Sequence, residues 1–164
     1  YSGNLGRAHD FQTLLEAQKI LEQEEAGWDL VFQGRGPSTE EARPCAEALG
    51  LRHCHWLDYA PLEELLPSLR RASALVATQK EACNGLLWPS KLALMQHLGL
   101  PLVFVGPVSS SIARWLRDLP MPALCHAPGD ATGLAQSLKN LGTHAPAAWE
   151  DVCARVNRQR RASM

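Results

Sequence analysis

Short apolar runs punctuate the chain at Tyr1-Ser2-Gly3, Asp29 to Gln33, His53 to Leu57, Ala74 to Thr78, Leu102 to Gly106 and Ala123 to His126. Their length, with turn residues on either side, predicts strands. Most are separated by segments with apolar residues at helical spacing. In the first of these, Phe11, Leu14, Leu15, Ala17, Gln18, Ile20 and Leu21 form one stripe, and Glu22, Gln23, Glu24 and Glu25 form its wet tail. Asp10 is placed to cap this helix and Gly27 to close it. A second helix is expected from Ser38-Thr39-Glu40-Glu41, with Pro44 inside it as a kink or a restart. A third opens at Pro61-Leu62-Glu63-Glu64-Leu65-Leu66, its acids in the first turn where the helix dipole favours them. Leu92 to Leu98, Ser109 to Leu116, Asp130 to Leu141 and Ala147 to Arg158 complete the set.

Strands alternating with helices imply right-handed βαβ units. The expected fold is α/β, a Rossmann-like doubly wound parallel sheet of about six strands with helices on both faces. Sheets of this kind bind ligands outside the carboxyl ends of their strands. The loops to inspect are therefore those after Gly3, Gln33, Leu57, Thr78, Gly106 and His126.

At 164 residues and 18.0 kDa the chain reads as one domain over 1–164, with 145–162 as a carboxyl-terminal helix. A net charge of −1 gives no reason to expect nucleic acid as a partner. The one basic cluster, Arg155, Arg158, Arg160 and Arg161, reads as a solvated terminal helix. Cys45, Cys54, Cys83, Cys125 and Cys153 form an odd, scattered set without a C-x-x-C pair. They argue against a disulfide framework and a zinc ribbon, and suit a reducing compartment. No apolar run approaches the ~20 residues of a membrane helix. Opening on a strand-like Tyr-Ser-Gly, the chain looks like a domain excised from a larger protein.

Chemistry concentrates in Asn84-Gly85-Leu86-Leu87-Trp88-Pro89-Ser90-Lys91-Leu92. A buried strand, a glycine loop and then Pro-Ser-Lys at a helix start present backbone N–H groups to an anion. Lys91 adds a mobile point charge and Ser90 a hydroxyl, as in a turn that grips a diphosphate. Glu81, just upstream, is placed to hold sugar hydroxyls or stands as a solvated loop acid. In Gly3-Asn4-Leu5-Gly6-Arg7 two glycines allow a tight turn, and Arg7 offers a fork to phosphate. The spacing is not G-x-G-x-x-G, which disfavours a dinucleotide dehydrogenase. Gly34-Arg35-Gly36-Pro37 gives room for a base or ribose, or is loop geometry alone. Asp58 and Tyr59 stand at a strand end, Tyr59 as a border for a nucleobase or as a rim residue. His53 and His55 share one face of a strand, but no third metal ligand has suitable spacing. Ser109 and Ser110 read as helix caps, and Trp88 and Trp115 as packing residues. There is no Ser/His/Asp triad, Walker A loop or H-E-x-x-H.

These blocks together resemble the carboxyl-terminal, donor-binding half of GT-B fold glycosyltransferases, most nearly the retaining family 4 and its lipopolysaccharide and capsule-type members. The resemblance runs from Tyr1-Ser2-Gly3-Asn4-Leu5-Gly6-Arg7-Ala8-His9-Asp10, through Leu30 to Pro37 and Trp56 to Leu65, to Gly85-Leu86-Leu87-Trp88-Pro89-Ser90-Lys91-Leu92 and Gly99 to Val103. It implies transfer of a sugar, with retention, from a nucleotide diphosphate sugar to an acceptor hydroxyl. Gly3, Asn4, Gly6, Arg7, Gly85, Leu86, Leu87, Ser90 and Lys91 would surround the diphosphate. Glu81 and Asn84 would face the sugar, and Gly34, Gly36, Asp58 and Tyr59 the base and ribose, with uridine as the default base. Many family members carry two glutamates across this turn where Asn84 and Leu92 stand here. The arginine and lysine of the commoner first loop correspond to Asn4 and His9. Phosphate binding would then fall on Arg7, Lys91 and backbone amides, without metal or cofactor. The resemblance implies a missing amino-terminal acceptor domain and a cytoplasmic location, with membrane association only through that missing half. A GT-B nucleotide-sugar epimerase and a non-catalytic α/β interaction module remain the alternatives.

Overall fold

The computed structural model of the chain describes residues 1–120 and 123–142. The helix expected over 145–162 lies outside the described residues. Five strands are present: β1 (Leu30–Gln33), β2 (Cys54–Leu57), β3 (Leu75–Thr78), β4 (Leu102–Val105) and β5 (Ala123–His126). The helices are α1 (Gln12–Gln23), α2 (Thr39–Ala48), α3 (Leu62–Leu69), α4 (Lys91–His97), α5 (Ser111–Arg117) and α6 (Ala131–Leu141). All strand pairs are parallel, as βαβ connections require. None of the described helices is long and apolar enough to cross a membrane.

The sheet differs from the expected six strands in one instructive way. β1 pairs with β2, and β3, β4 and β5 pair in sequence, as two separate ladders. The expected first strand is reduced to a single bridge between Ser2 and Gln33. Around that bridge Gly3 N–H donates to Gln33 (2.8 Å), Gln33 N–H donates to Tyr1 (2.8 Å), and the Tyr1 amino group donates to Val31 (2.8 Å). The segment follows the β1 edge in parallel register but is too short to join β1 to β3 along their length. Beside it lies an apolar cavity of about 140 Å³, with Leu30 and Val31 on one side and Leu75, Val76 and Val103 on the other.

Alternation along the strands sorts the core into two layers. Val76, Val103 and Val105 pack with Leu14, Leu15 and Leu21 of α1 and Leu134 of α6. Leu75, Ala77, Leu102 and Phe104 pack on the opposite face with Leu69, Leu92, Met95, Ile112 and Leu116. Helices thus cover both faces, and the doubly wound α/β class holds. Phe104 and Val105 are fully buried, as expected of a central strand.

Local details follow the sequence with exceptions. Ser110 Oγ accepts from Ala113 N–H (3.1 Å) and Asp130 from Gly133 N–H (3.0 Å), capping α5 and α6. Asp10 accepts from Thr13 N–H (3.4 Å) and from the Thr13 hydroxyl. That hydroxyl in turn accepts from Gly129 N–H (2.7 Å), so the cap also fastens the turn after β5 to α1. Gly27 does not close α1. Glu25 takes the left-handed conformation at φ 52° instead, and Ala26 N–H reaches back to Leu21 (2.9 Å). Pro44 neither ends nor restarts α2, which runs unbroken through it. The carbonyl it leaves unpaired belongs to Glu40, an exposed residue open to water.

Replacing Thr13 with Val should cost about 1–3 kcal/mol, because Gly129 N–H and the buried Asp10 carboxylate each lose a partner. Urea unfolding monitored by circular dichroism measures this as a lowered midpoint at an unchanged slope.

Candidate functional site

The first two βα loops interlock. Leu5 N–H donates to Arg35 (3.0 Å), Ser38 N–H donates to Leu5 (3.0 Å), and Ser38 Oγ donates to Gly6 (3.2 Å). Gly34 sits at φ 130°, and a Cβ there would overlap the Gly3 carbonyl. A Cβ at Gly36 would collide with the Leu5 carbonyl and the Asn4 side chain. Glycine at these two positions is therefore demanded by a backbone crossing. Asp58 pairs with Arg35, and the Tyr59 hydroxyl donates to the Arg35 carbonyl (3.2 Å). Both residues expected near a base thus brace this turn from the end of β2.

The first loop is also tied to the end of β3. His9 Nδ1 lies 2.7 Å from the Thr78 carbonyl, and Lys80 N–H donates to Ala8 (2.8 Å). A carbonyl only accepts, so Nδ1 carries the proton. Burial holds the pKa of His9 below its ordinary value, despite that bond to Thr78.

Between these loops and α3 and α4 lies a hollow of about 260 Å³. Ser2, Gly3, Tyr59 and Lys91 contribute to its wall, with Leu94 and Met95 from α4. Among the described residues Lys91 is its one cation and no carboxylate lines it. The Lys91 stem runs inward, so that Nζ is buried without a hydrogen-bond partner among the described residues. Nζ lies 3.4 Å from the centroid of the Tyr1 ring, and it is also the atom nearest to where a Gly3 Cβ would stand. Burial pushes its pKa down to about 7. The mobile point charge expected from sequence is therefore a held, poorly solvated one.

Other expected site residues are dispersed. Gly85 lies at φ 77° in an exposed loop with Leu86 and Leu87, and none of the three lines the hollow. Glu81 opens a 3-10 turn, Glu81–Cys83, and Asn84 follows it; both are exposed and lie outside the lining. Ser90 is exposed and makes no side-chain cap to α4. Asn4 and Arg7 are exposed on the first loop, Gly6 is half-buried there, and the Asn4 carbonyl accepts from the Tyr1 hydroxyl (2.7 Å). Trp88 packs edge-on against Trp115 at 5.6 Å, as a packing residue does. His53 and His55 both turn to Asp29 Oδ1, at 2.9 Å and 3.2 Å. Among the described residues no group of three His, Cys, Asp or Glu is arranged to hold a metal.

One residue escaped the sequence reading. Gln79, at the end of β3, is 2 % exposed, and its Nε2 donates to Cys83 (2.7 Å) and Leu87 (3.2 Å). It moors the loop that leads to Lys91, while its Oε1 has no partner among the described residues. A polar residue directly after four buried strand positions was the available signal.

No family model matches the chain. In sequence it is similar to WcaI of Escherichia coli (strain K12), named for glycosyl transfer in colanic acid biosynthesis, with 24% identity over 139 residues. That alignment takes in 85% of this chain and 34% of the relative, so the chain spans about a third of the curated protein it matches. In structure it is similar to the lipopolysaccharide outer core galactosyltransferase WaaB in its apo form, with a TM-score of 0.63 and 18% identity. There the match covers 86% of this chain and 38% of the other. The catalytic domain of cholesterol-α-glucosyltransferase from Helicobacter pylori gives a TM-score of 0.62 at 16% identity, covering 85% of this chain and 83% of that one. The chain is thus homologous to a glycosyltransferase and has the Rossmann-like fold found in glycosyltransferases of the GT-B class.

Proposed function

We propose that this chain is the donor-binding domain of a retaining GT-B glycosyltransferase, taking a nucleotide diphosphate sugar and passing its sugar to an acceptor hydroxyl. The observation that carries the reading is Lys91. Its amino group is buried in a hollow beside the two glycine loops, with no carboxylate to neutralise it. A protein tolerates such a group where a ligand completes it. An entering phosphate would supply the missing acceptors and the missing charge at once. The likeness to WcaI and the fold shared with WaaB support the same reading.

In this reading Lys91 neutralises charge on the departing diphosphate, a role that elsewhere falls to a metal ion. Arg7, exposed on the first loop, closes on the outer phosphate, and backbone amides around Gly85 contribute the rest. Tyr59 and the Gly34–Gly36 turn border the base, held by Asp58 and Arg35. Glu81 and Asn84, on the loop after β3, face the sugar. The acceptor site and its partner domain lie outside this chain, and the donor is met in the cytoplasm. WcaI is named for colanic acid biosynthesis, which suggests polysaccharide biosynthesis as the setting of the reaction.

Calorimetric titration with UDP and GDP tests this directly. Saturable binding of one of them is expected, weakened about ten- to hundredfold by Lys91→Ala, as for loss of a charge-assisted contact. No binding of either nucleotide by the intact chain would refute the reading.

A second expectation concerns stability. A lysine pKa lowered on folding means that the unfolded chain holds the proton over the interval between about 7 and the ordinary value of 10.5. Stability of the native chain should therefore rise with pH across that interval. Lys91→Met removes the buried amine and should raise the melting temperature. The gain is largest below pH 7 and fades toward pH 10.5. Thermal melts of both proteins from pH 6 to 10 measure it; equal slopes against pH would contradict the assignment.

A further inference from the structure

Three aromatic side chains stand in a row, on β2, on β1 and on the Tyr1 segment beside β1. Trp56 of β2 stacks on Phe32 of β1 with centroids 4.5 Å apart and planes 8° from parallel. Phe32 in turn meets Tyr1 at 5.9 Å. A cation closes each end of the row. The Arg43 guanidinium lies 5.5 Å from the Trp56 centroid, and Lys91 Nζ lies 3.4 Å from that of Tyr1. The Tyr1 ring is fixed further by its hydroxyl on the Asn4 carbonyl and by an edge contact with His9 at 5.5 Å.

We propose that Tyr1 is a positioning residue of the anion site, its ring face holding the Lys91 ammonium in the hollow without a counter-ion so that the charge stays available to an entering phosphate. The proposal deepens, and rests on, the reading of the hollow as a nucleotide-diphosphate site.

The chemistry favours a ring over the usual partner of a buried lysine. A carboxylate would satisfy the ammonium but also neutralise it, and a phosphate would have to displace it. The negative face of an aromatic ring attracts a cation with its quadrupole and leaves the net charge intact. The described surroundings contain nothing that competes. No Asp or Glu lines the hollow, and Asp58, next to Tyr59, is engaged by Arg35. The titratable groups that face Lys91 are the Tyr1 and Tyr59 phenols and His9. None of these carries a negative charge near neutral pH. Burial raises the Tyr1 phenol pKa above its ordinary value and so keeps the ring neutral. His9 repels the Lys91 charge when protonated. Among the described residues that face it, only the ring attracts it.

The test compares the native chain with Tyr1→Phe, Tyr1→Leu and Lys91→Ala. Lysines are reductively methylated with ¹³C, and the Lys91 signal, identified by its absence in Lys91→Ala, is followed against pH without ligand. Leu keeps the site apolar but has no negative face, so Lys91 in Tyr1→Leu should lose its proton about one pH unit lower than in the native chain. Tyr1→Phe, which keeps the ring, should restore the native midpoint. UDP affinity of Tyr1→Leu at pH 7.5 should be roughly tenfold weaker and should recover as the pH falls to 6, a recovery that a misfolded site would not show. An unchanged Lys91 midpoint in Tyr1→Leu overturns the proposal, as does an unchanged UDP affinity. If no protein binds UDP while the ring still sets the Lys91 midpoint, the donor-site reading fails and the positioning role stands.

Discussion

Everything in the candidate site depends on two stretches of backbone passing at contact distance. The Gly3 carbonyl occupies the space where a side chain at residue 34 would begin, and the Leu5 carbonyl does the same at residue 36. Because both crossings are side-chain-free, the first βα loop lies directly on the second. Ser38 and the Asp58–Arg35 pair then lock the two together. The crossing fixes Tyr1 and Gly3 against β1, Tyr1 fixes Lys91, and Lys91 gives the hollow its charge. A looser turn would let the first loop lift, and the ammonium would follow it into water.

The same hierarchy explains what the sequence disclosed. Apolar runs placed β5 to the residue and the other four strands to within one residue at an end, because buried parallel strands are bounded sharply by turn residues. Ser110 was legible as a cap, since a capping oxygen acts within three residues of its own position. What failed was everything set by distant partners. The Tyr1–Gly3 run has strand composition, yet a ladder needs a neighbour along its whole length, and β3 does not meet it. At Gly34 and Gly36 the sequence left ligand room and plain loop geometry both open, because it shows that glycine is small but not which backbone passes beside it. Lys91 looked mobile because its charge suggests solvent. Its helix, however, buries Leu92 and Met95, and the adjacent lysine stem is drawn inward with them. Gln79 left only a faint signal for a similar reason: its partners, Cys83 and Leu87, lie on a loop of no fixed pattern.

The site also trades stability for charge. A methylene stem ending in an unsolvated amine, next to Tyr1 and Gly3, is a poor way to fill a hollow and a good way to meet an anion. Gln79 Oε1 and Thr78 Oγ1, at the end of β3, are likewise buried without partners among the described residues. Such unsatisfied atoms cluster where structure yields to binding, whereas the caps and cores elsewhere in the chain are well matched.

The apolar cavity between the two ladders bears on a different property. A void of about 140 Å³ walled by Leu30, Val31, Leu75, Val76 and Val103 contributes to the volume of the native state and vanishes when the chain unfolds. By Le Chatelier's principle, compression then favours the unfolded chain, with a volume change on the order of tens of mL/mol. The void abuts the seam between β1 and β3, where the two strands do not pair and α1 and the Tyr1–Gly3 backbone cover the gap. Hydrostatic pressure should therefore open this molecule along that seam first, parting β1 and β2 from β3, β4 and β5 while each ladder keeps its own hydrogen bonds.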